Sequence, residues 1–151
     1  MLAAIVAAVG AFQNRHLPAG KAPPLSLPTL EGARVSLEDL KGKPTLLVFW
    51  APWCGVCAAE ADNLARVQRL LGDRARVVTV ATGYERLDEV QRYVVRHEIA
   101  LPVLLDGHRA ARDWRVSAFP TAFVLDEDGQ ISHRMVGYTS TLGMLVRLLL
   151  S

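Results

Sequence analysis

The chain has 151 residues, of which 51% are hydrophobic, enough for one domain of ordinary size with a buried core. Its formal net charge is +2, with 17 basic residues scattered among 15 acidic ones. That balance leaves no electrostatic footprint for nucleic acid and no polybasic patch for a lipid surface.

Met1 to Phe12 carries no charged side chain and is almost wholly Ala, Val, Ile, Leu and Gly. A spanning helix needs roughly 20 apolar residues, so this run is short, and it lacks the Lys/Arg-rich start of a secretory signal. It reads as a membrane anchor, or the apolar region of a signal, whose upstream part is missing. Val9-Gly10-Ala11 is a weak small-residue cleavage site. The plainer alternative is a buried or frayed N-terminal helix. Gln13 to Pro24, with Pro18, Gly20, Pro23 and Pro24, reads as a tether. The expected division is an anchor or signal remnant over 1–12, a linker over 13–24 and one domain over 25–151.

Leu25 to Leu30 and Ala33 to Leu37 flank Glu31-Gly32 as a hairpin. Ser36 stands where it can cap a helical turn over Leu37 to Leu40, stopped by Gly42 and Pro44. Thr45 to Trp50 is a continuous apolar run with β-branched and aromatic members, as in a central strand buried on both faces. Ala51-Pro52-Trp53 then leads to Cys54, and a helix is predicted from Gly55 to Leu71, ending at Gly72. Arg76 to Ala81 is a second buried strand, Arg86 to Glu98 an amphipathic helix, and Leu101 to Leu105 a short strand before a helical turn near Arg109 to Trp114. Thr121 to Leu125 and Gln130 to Val136 form a hairpin around Asp126-Glu127-Asp128-Gly129, and Ser140 to Leu150 a closing helix. That order predicts an α/β layered domain with a mixed sheet flanked by helices.

The chemistry centres on Cys54 and Cys57, the only two cysteines. A bridge between them closes so short a loop that it restrains little of the unfolded chain, which makes a purely structural disulfide unattractive. They lie where a buried strand passes into a helix. The positive end of a helix stabilises a thiolate, the attacking species in thiol–disulfide exchange. Cys54, before the first turn and partly exposed, is the expected nucleophile. Cys57, one turn deeper, is the expected resolving thiol. Structural zinc needs about four ligands, and His16, His97, His108 and His133 are scattered, so no metal and no cofactor are expected. Cu(I) held by the two thiolates is the alternative.

Glu60 falls with Leu64, Val67 and Leu71 at helical spacing, beside an apolar stripe and one turn from Cys57. A carboxylate there is partly desolvated, its pKa raised, and it can exchange protons with Cys57. The bland alternative is a solvated or Arg-paired Glu at the stripe's edge. Asp62 falls on the polar face. Trp53 is expected to shield the nucleophile or contact substrate, with Trp50 and Trp114 in the core. Pro120, in Ala118-Phe119-Pro120-Thr121, is by itself only a turn residue before a strand.

From about Pro24 onward the chain resembles the TlpA/ResA/DsbE group of thioredoxin-like proteins. The resemblance is carried by Leu37-Glu38-Asp39-Leu40-Lys41-Gly42-Lys43-Pro44, by Phe49-Trp50-Ala51-Pro52-Trp53-Cys54-Gly55-Val56-Cys57, and by Phe119-Pro120-Thr121, Asp126-Glu127-Asp128-Gly129 and Gly137. It implies a thioredoxin-like fold with an N-terminal β-hairpin and a central αβ insertion, here Tyr84 to Leu105. It implies that Pro120 is the cis-proline facing the cysteines, leaving the Phe119 backbone free to pair with an extended substrate. It makes Glu60 the family's active-site acid. Thioredoxin's own buried aspartate falls at Val48 and the family's helix-kinking proline at Asp62, so both are absent. Gly137-Tyr138-Thr139-Ser140, Gly143-Met144 and Arg147-Leu148, with Gly55-Val56 between the cysteines, are similar to ScsD proteins of suppressor-of-copper-sensitivity systems.

The resemblance further implies a periplasmic, membrane-tethered oxidoreductase that reduces protein disulfides, in cytochrome c maturation or copper stress. Its electrons would come from a membrane reductase of DsbD/CcdA/ScsB type. A monomer is expected. No His or other cation lies between the cysteines to over-stabilise the thiolate, which favours the reducing direction. A peroxidase on the related peroxiredoxin scaffold is disfavoured by the spacing of the thiol pair.

Overall fold

The computed structural model describes residues 1–151. An N-terminal helix, α1 (Leu2–Asn14), precedes a hairpin of β1 (Ser26–Pro28) and β2 (Arg34–Ser36), which turns at Gly32 with φ +88°. That left-handed backbone suits a residue without a Cβ. A 3-10 turn over Glu38–Leu40 leads into β3 (Thr45–Trp50). Ser36 does not cap this turn. Its backbone N–H and hydroxyl both donate to Asp39 Oδ2, at 2.8 and 2.9 Å, and hold the Asp39 carboxyl below its ordinary range. The expected roles are reversed because an ionised carboxylate is the stronger acceptor.

The chain continues through α2 (Gly55–Leu71), β4 (Arg76–Ala81), α3 (Leu87–Arg96), β5 (Val103–Leu105), α4 (Arg109–Asp113), β6 (Thr121–Leu125), β7 (Ile131–Val136) and α5 (Thr141–Leu149). Five strands form one mixed sheet in the order β5-β4-β3-β6-β7. β3 is parallel to β4 and β4 to β5, while β6 runs antiparallel to both β3 and β7. Parallel neighbours need crossover connections, which α2 and α3 supply. This is the expected thioredoxin-like arrangement.

β3 is buried along its whole length, which is why it reads as an apolar run rather than an alternating one. Its side chains still alternate in direction. Leu47 and Phe49 pack with Phe123, Leu125 and Trp114 on one face. Leu46 and Val48 pack with Leu64 and Val67 of α2 and Met144 and Leu148 of α5 on the other. Trp114 is a core residue, its ring 4.9 Å from Phe123 and 5.9 Å from Phe49.

The segment expected to be a loose linker is packed onto the domain. Leu17 and Ala22 are buried in the same cluster as Trp114. Gly20 and Ile131 exchange backbone hydrogen bonds of 3.1 and 2.6 Å. Arg134 donates to the carbonyls of Asn14 and Leu17. The physical reason is the free edge of β7, whose unpaired backbone groups the segment covers. Glycine and proline composition suggested a tether; two apolar residues within it fill the core instead. By contrast no residue of α1 is buried, and no helix is long and apolar enough to cross a membrane.

This difference is measurable. Leu17→Ala is expected to cost about 2 kcal/mol or more in urea unfolding, as for other buried leucines. Phe12→Ala, on the exposed helix, is expected to stay within about 0.5 kcal/mol of the parent.

Candidate active site

β3 ends at Trp50, and the chain makes a tight turn in which the Cys54 N–H donates to the Ala51 carbonyl at 3.1 Å. Cys54 then caps α2 from an extended backbone, and its sulfur accepts the Cys57 N–H at 3.1 Å. Cys54 and Cys57 are joined as a disulfide, with Cα atoms 5.3 Å apart. Sulfur thus takes the place usually held by a serine or aspartate oxygen at a helix start. A thiolate at this position is stabilised by the helix end and by one directed N–H.

Cys54 was expected to be partly exposed, yet it is only 8% accessible, against 5% for Cys57. The cause is its neighbours. Phe119 packs against the cluster that contains both cysteines, and its carbonyl oxygen lies 3.6 Å from Cys54 Sγ. Trp53, 68% exposed, meets the Phe119 ring edge-on at 5.6 Å and donates its indole N–H to the Gly83 carbonyl at 2.8 Å. Gly83 has φ +68°, and a Cβ on it would meet the indole nitrogen at 3.4 Å. The Phe119–Pro120 peptide bond is cis. Trp53, Phe119 and Pro120 therefore gather around the disulfide.

Glu60 is 2% exposed and lines a cavity of about 20 Å³ with Cys57, Pro120, Val48, Trp50 and Tyr93 among others. That is room for about one water molecule. Its one hydrogen bond is from the Thr139 N–H to Oε2, at 2.7 Å. Burial among apolar groups raises the carboxyl from 4.5 to about 7, and the Thr139 bond only partly opposes this. Of the two readings of Glu60, solvated edge or buried acid, the structure has the buried one. No cluster of three or more His, Cys, Asp or Glu side chains is placed to share a metal ion.

Two neighbours were not singled out from sequence. Tyr93 of α3 stacks on Trp50 with ring centres 4.3 Å apart and lines the Glu60 cavity. Burial, then the Glu60 charge, pushes its phenol up to about 12. Asn63, one turn after Glu60, is buried and bonded to the loop that also holds Glu60. The available signal was its place on the flank of the apolar stripe, where a buried amide must find partners.

The Glu60 carboxyl makes stability depend on pH. Its folded value lies above the unfolded one, so between about 4.5 and 7 the folded state binds the extra proton. That stabilisation is full below the unfolded value and is lost as pH rises through 7. Urea unfolding of the oxidised protein is expected to show a loss on the order of 3 kcal/mol between pH 4.5 and 8 from this group. Glu60→Gln should flatten that slope.

The AhpC/TSA family model matches residues 18–134. The chain is 37% identical over 119 residues to "Thioredoxin-like protein YneN" of Bacillus subtilis (strain 168), covering 78% of this chain and 70% of that protein. It is 28% identical over 118 residues to "Thiol-disulfide oxidoreductase ResA" of Bacillus anthracis, covering 78% and 68%. A crystal structure of a thiol:disulfide interchange protein of the thioredoxin family from Chlorobium tepidum TLS superposes with a TM-score of 0.77 at 27% identity, covering 88% of this chain and 96% of that one. The chain belongs to the AhpC/TSA family, within which its paired cysteines make it a thiol–disulfide oxidoreductase of the ResA and DsbE type.

Proposed function

We propose that this oxidoreductase works outside the cytoplasm, tethered to the membrane by its N-terminal segment, and reduces disulfides in protein substrates. The observation that carries the redox roles is the placement of Cys54 at the N-terminus of α2, one turn from Cys57, with Glu60 a further turn inward and buried. The tether reading is supported by α1, whose Leu2, Ile5, Val6, Val9 and Phe12 are all exposed.

In the reduced protein the Cys54 thiolate attacks one sulfur of a substrate disulfide. A Cys54–substrate disulfide forms, and the other substrate sulfur leaves as a thiolate. The Glu60 carboxylate takes the proton from the Cys57 thiol. Cys57 then attacks Cys54 Sγ, re-forming the enzyme disulfide and releasing the second substrate thiolate. Two electrons pass to the substrate, and the enzyme is left oxidised. A carboxyl that titrates near 7 is matched to this transfer at neutral pH. In this reading the Phe119 carbonyl accepts from the backbone of an extended substrate, with Pro120 and the Trp53 ring flanking it; its 3.6 Å distance from Cys54 Sγ and the exposure of Trp53 support that role. Electrons return from a membrane thiol reductase of DsbD/CcdA/ScsB type, and the protein acts as a monomer. Apocytochrome c thiols or a copper-stress oxidoreductase are the substrates that the sequence resemblance favours.

Cys57→Ser is expected to hold its substrate covalently through Cys54, in a complex released by dithiothreitol and identifiable by mass spectrometry. Cys54→Ser should capture nothing. Glu60→Gln should slow the resolving step on the order of 100-fold near neutral pH and leave the first attack in place. Deleting residues 1–12 should move the protein from the membrane to the soluble fraction. A reduction potential as high as that of a dedicated oxidase would overturn the reductase reading. So would tight, stoichiometric Cu(I) binding by a protein that reduces no disulfide.

A further inference from the structure

We propose that Asn63 is a positioning residue for Glu60, acting through the backbone of Thr139. The inference rests on the reading of Glu60 as the proton partner of Cys57 and concerns what sets that carboxyl's proton affinity.

Glu60 and Asn63 stand one helical turn apart on α2, and both reach the loop between β7 and α5. Asn63 is only 7% exposed, so its amide must be satisfied within the protein. Both of its donor hydrogens are used: Nδ2 lies 2.9 Å from Tyr138 Oη and 3.1 Å from the Thr139 carbonyl. Its Oδ1 accepts from the Arg66 guanidinium at 3.4 Å, and that guanidinium also reaches Thr141 Oγ1 at 3.2 Å. One turn back, Glu60 Oε2 accepts the Thr139 N–H at 2.7 Å. The helix thus grips both backbone polar groups of Thr139, the N–H with Glu60 and the carbonyl with Asn63. The two groups belong to successive peptide units joined at the Thr139 Cα, so tethering the carbonyl restricts the φ and ψ rotation by which the N–H could swing away from Glu60.

That orientation matters because the Thr139 N–H is the one donor on the Glu60 carboxylate. The residues lining the Glu60 cavity offer no cation in its place. Cys57 comes from its own helix, Tyr93 from α3 and Thr79 from β4, while β3 contributes Val48 and Trp50. Pro120 completes that side, and no residue of β7 or α5 lines the cavity. Arg66 is engaged with Asn63 and Thr141 instead. On the far side of Thr139, Ser140 Oγ accepts the Gly143 N–H at 3.2 Å and caps α5. The loop is therefore anchored at its α5 end, and Asn63 supplies the anchor on the α2 side.

The test is a carbon-detected NMR titration of side-chain carboxyls in the full-length oxidised protein, with Glu60→Gln identifying the Glu60 signal. Removing the Asn63 donors frees the Thr139–Ser140 peptide unit and with it loosens the Thr139 backbone, so the carboxylate loses part of a charge-assisted bond. Asn63→Ala is expected to move the Glu60 midpoint upward by about one pH unit, a tenfold rise in proton affinity. Asn63→Ser, which keeps a polar group that water can reach, should move it in the same direction and serves if the alanine variant does not fold. Tyr138→Phe should leave the midpoint in place, since Asn63 still holds the Thr139 carbonyl. Folded Asn63 variants that titrate at the parent midpoint, whatever their thermal stability, would overturn the proposal. A Tyr138→Phe shift as large as that of Asn63→Ala would overturn it as well. The rate at which the reduced parent protein reduces a model disulfide tests the redox reading separately, so failure of one is not mistaken for failure of the other.

Discussion

A strand buried on both faces must end before its chain can reach water, and here it ends directly into a helix. β3 supplies six residues to the middle of the sheet, none of them exposed, and α2 starts five residues after Trp50. The short turn between them leaves no freedom to place Cys54 anywhere but at the head of the helix, where its sulfur takes up the Cys57 N–H. The sheet fixes the strand, the strand fixes the helix start, and the helix start fixes the sulfur. The cis-proline segment reaches the same sulfur through β6, the antiparallel neighbour of β3, which begins at Thr121.

The same geometry explains why the acid sits on α2. Val48 of β3 and Glu60 of α2 line one cavity under the disulfide. The aspartate that thioredoxin carries on this strand falls at Val48, so the cavity receives its carboxyl from the helix instead. An apolar residue on the strand keeps the pocket poor in donors. Burial then dominates and the carboxyl rises to about 7, with only Thr139 opposing it. Tyr93, stacked on Trp50, adds an aromatic wall from the inserted helix α3 and has its own phenol pushed up by burial and by Glu60. Insertion and acid are therefore parts of one environment.

Much of this was legible in the sequence because its signals are local. The apolar run of Thr45–Trp50, the helix between Gly55 and Gly72 and the cysteine spacing each report on neighbours within a turn or a strand. Glu60 was legible for the same reason, through its spacing with Leu64 and Val67. What escaped depends on partners far along the chain. Thr139 meets Glu60 across 79 positions, and Arg134 meets Leu17 across 117. Composition alone makes Gln13 to Pro24 look like a linker; only the open edge of β7 gives Leu17, Gly20 and Ala22 a reason to dock. Cys54 is covered by Phe119, which lies 65 positions away. The reversed Ser36–Asp39 bond is local, yet spacing does not say which of two polar side chains will be the acceptor.

The proposed direction of electron flow rests on what surrounds the nucleophile. A strong oxidant is one whose reduced form is strongly stabilised, typically by a cation or several donors on the thiolate. Between the cysteines stand Gly55 and Val56, both neutral, with Val56 exposed. The Cys54 sulfur has one backbone N–H and the end of a helix, and on its other side a carbonyl oxygen, a group that repels negative charge. This environment supports a thiolate without favouring it heavily. Such an environment suits the proposed reductase, whose dithiol would give up its electrons more readily than that of a dedicated oxidase, with Glu60 in its proposed role taking the proton that the second thiol must lose. Both features support the proposal that electrons pass outward to a substrate disulfide.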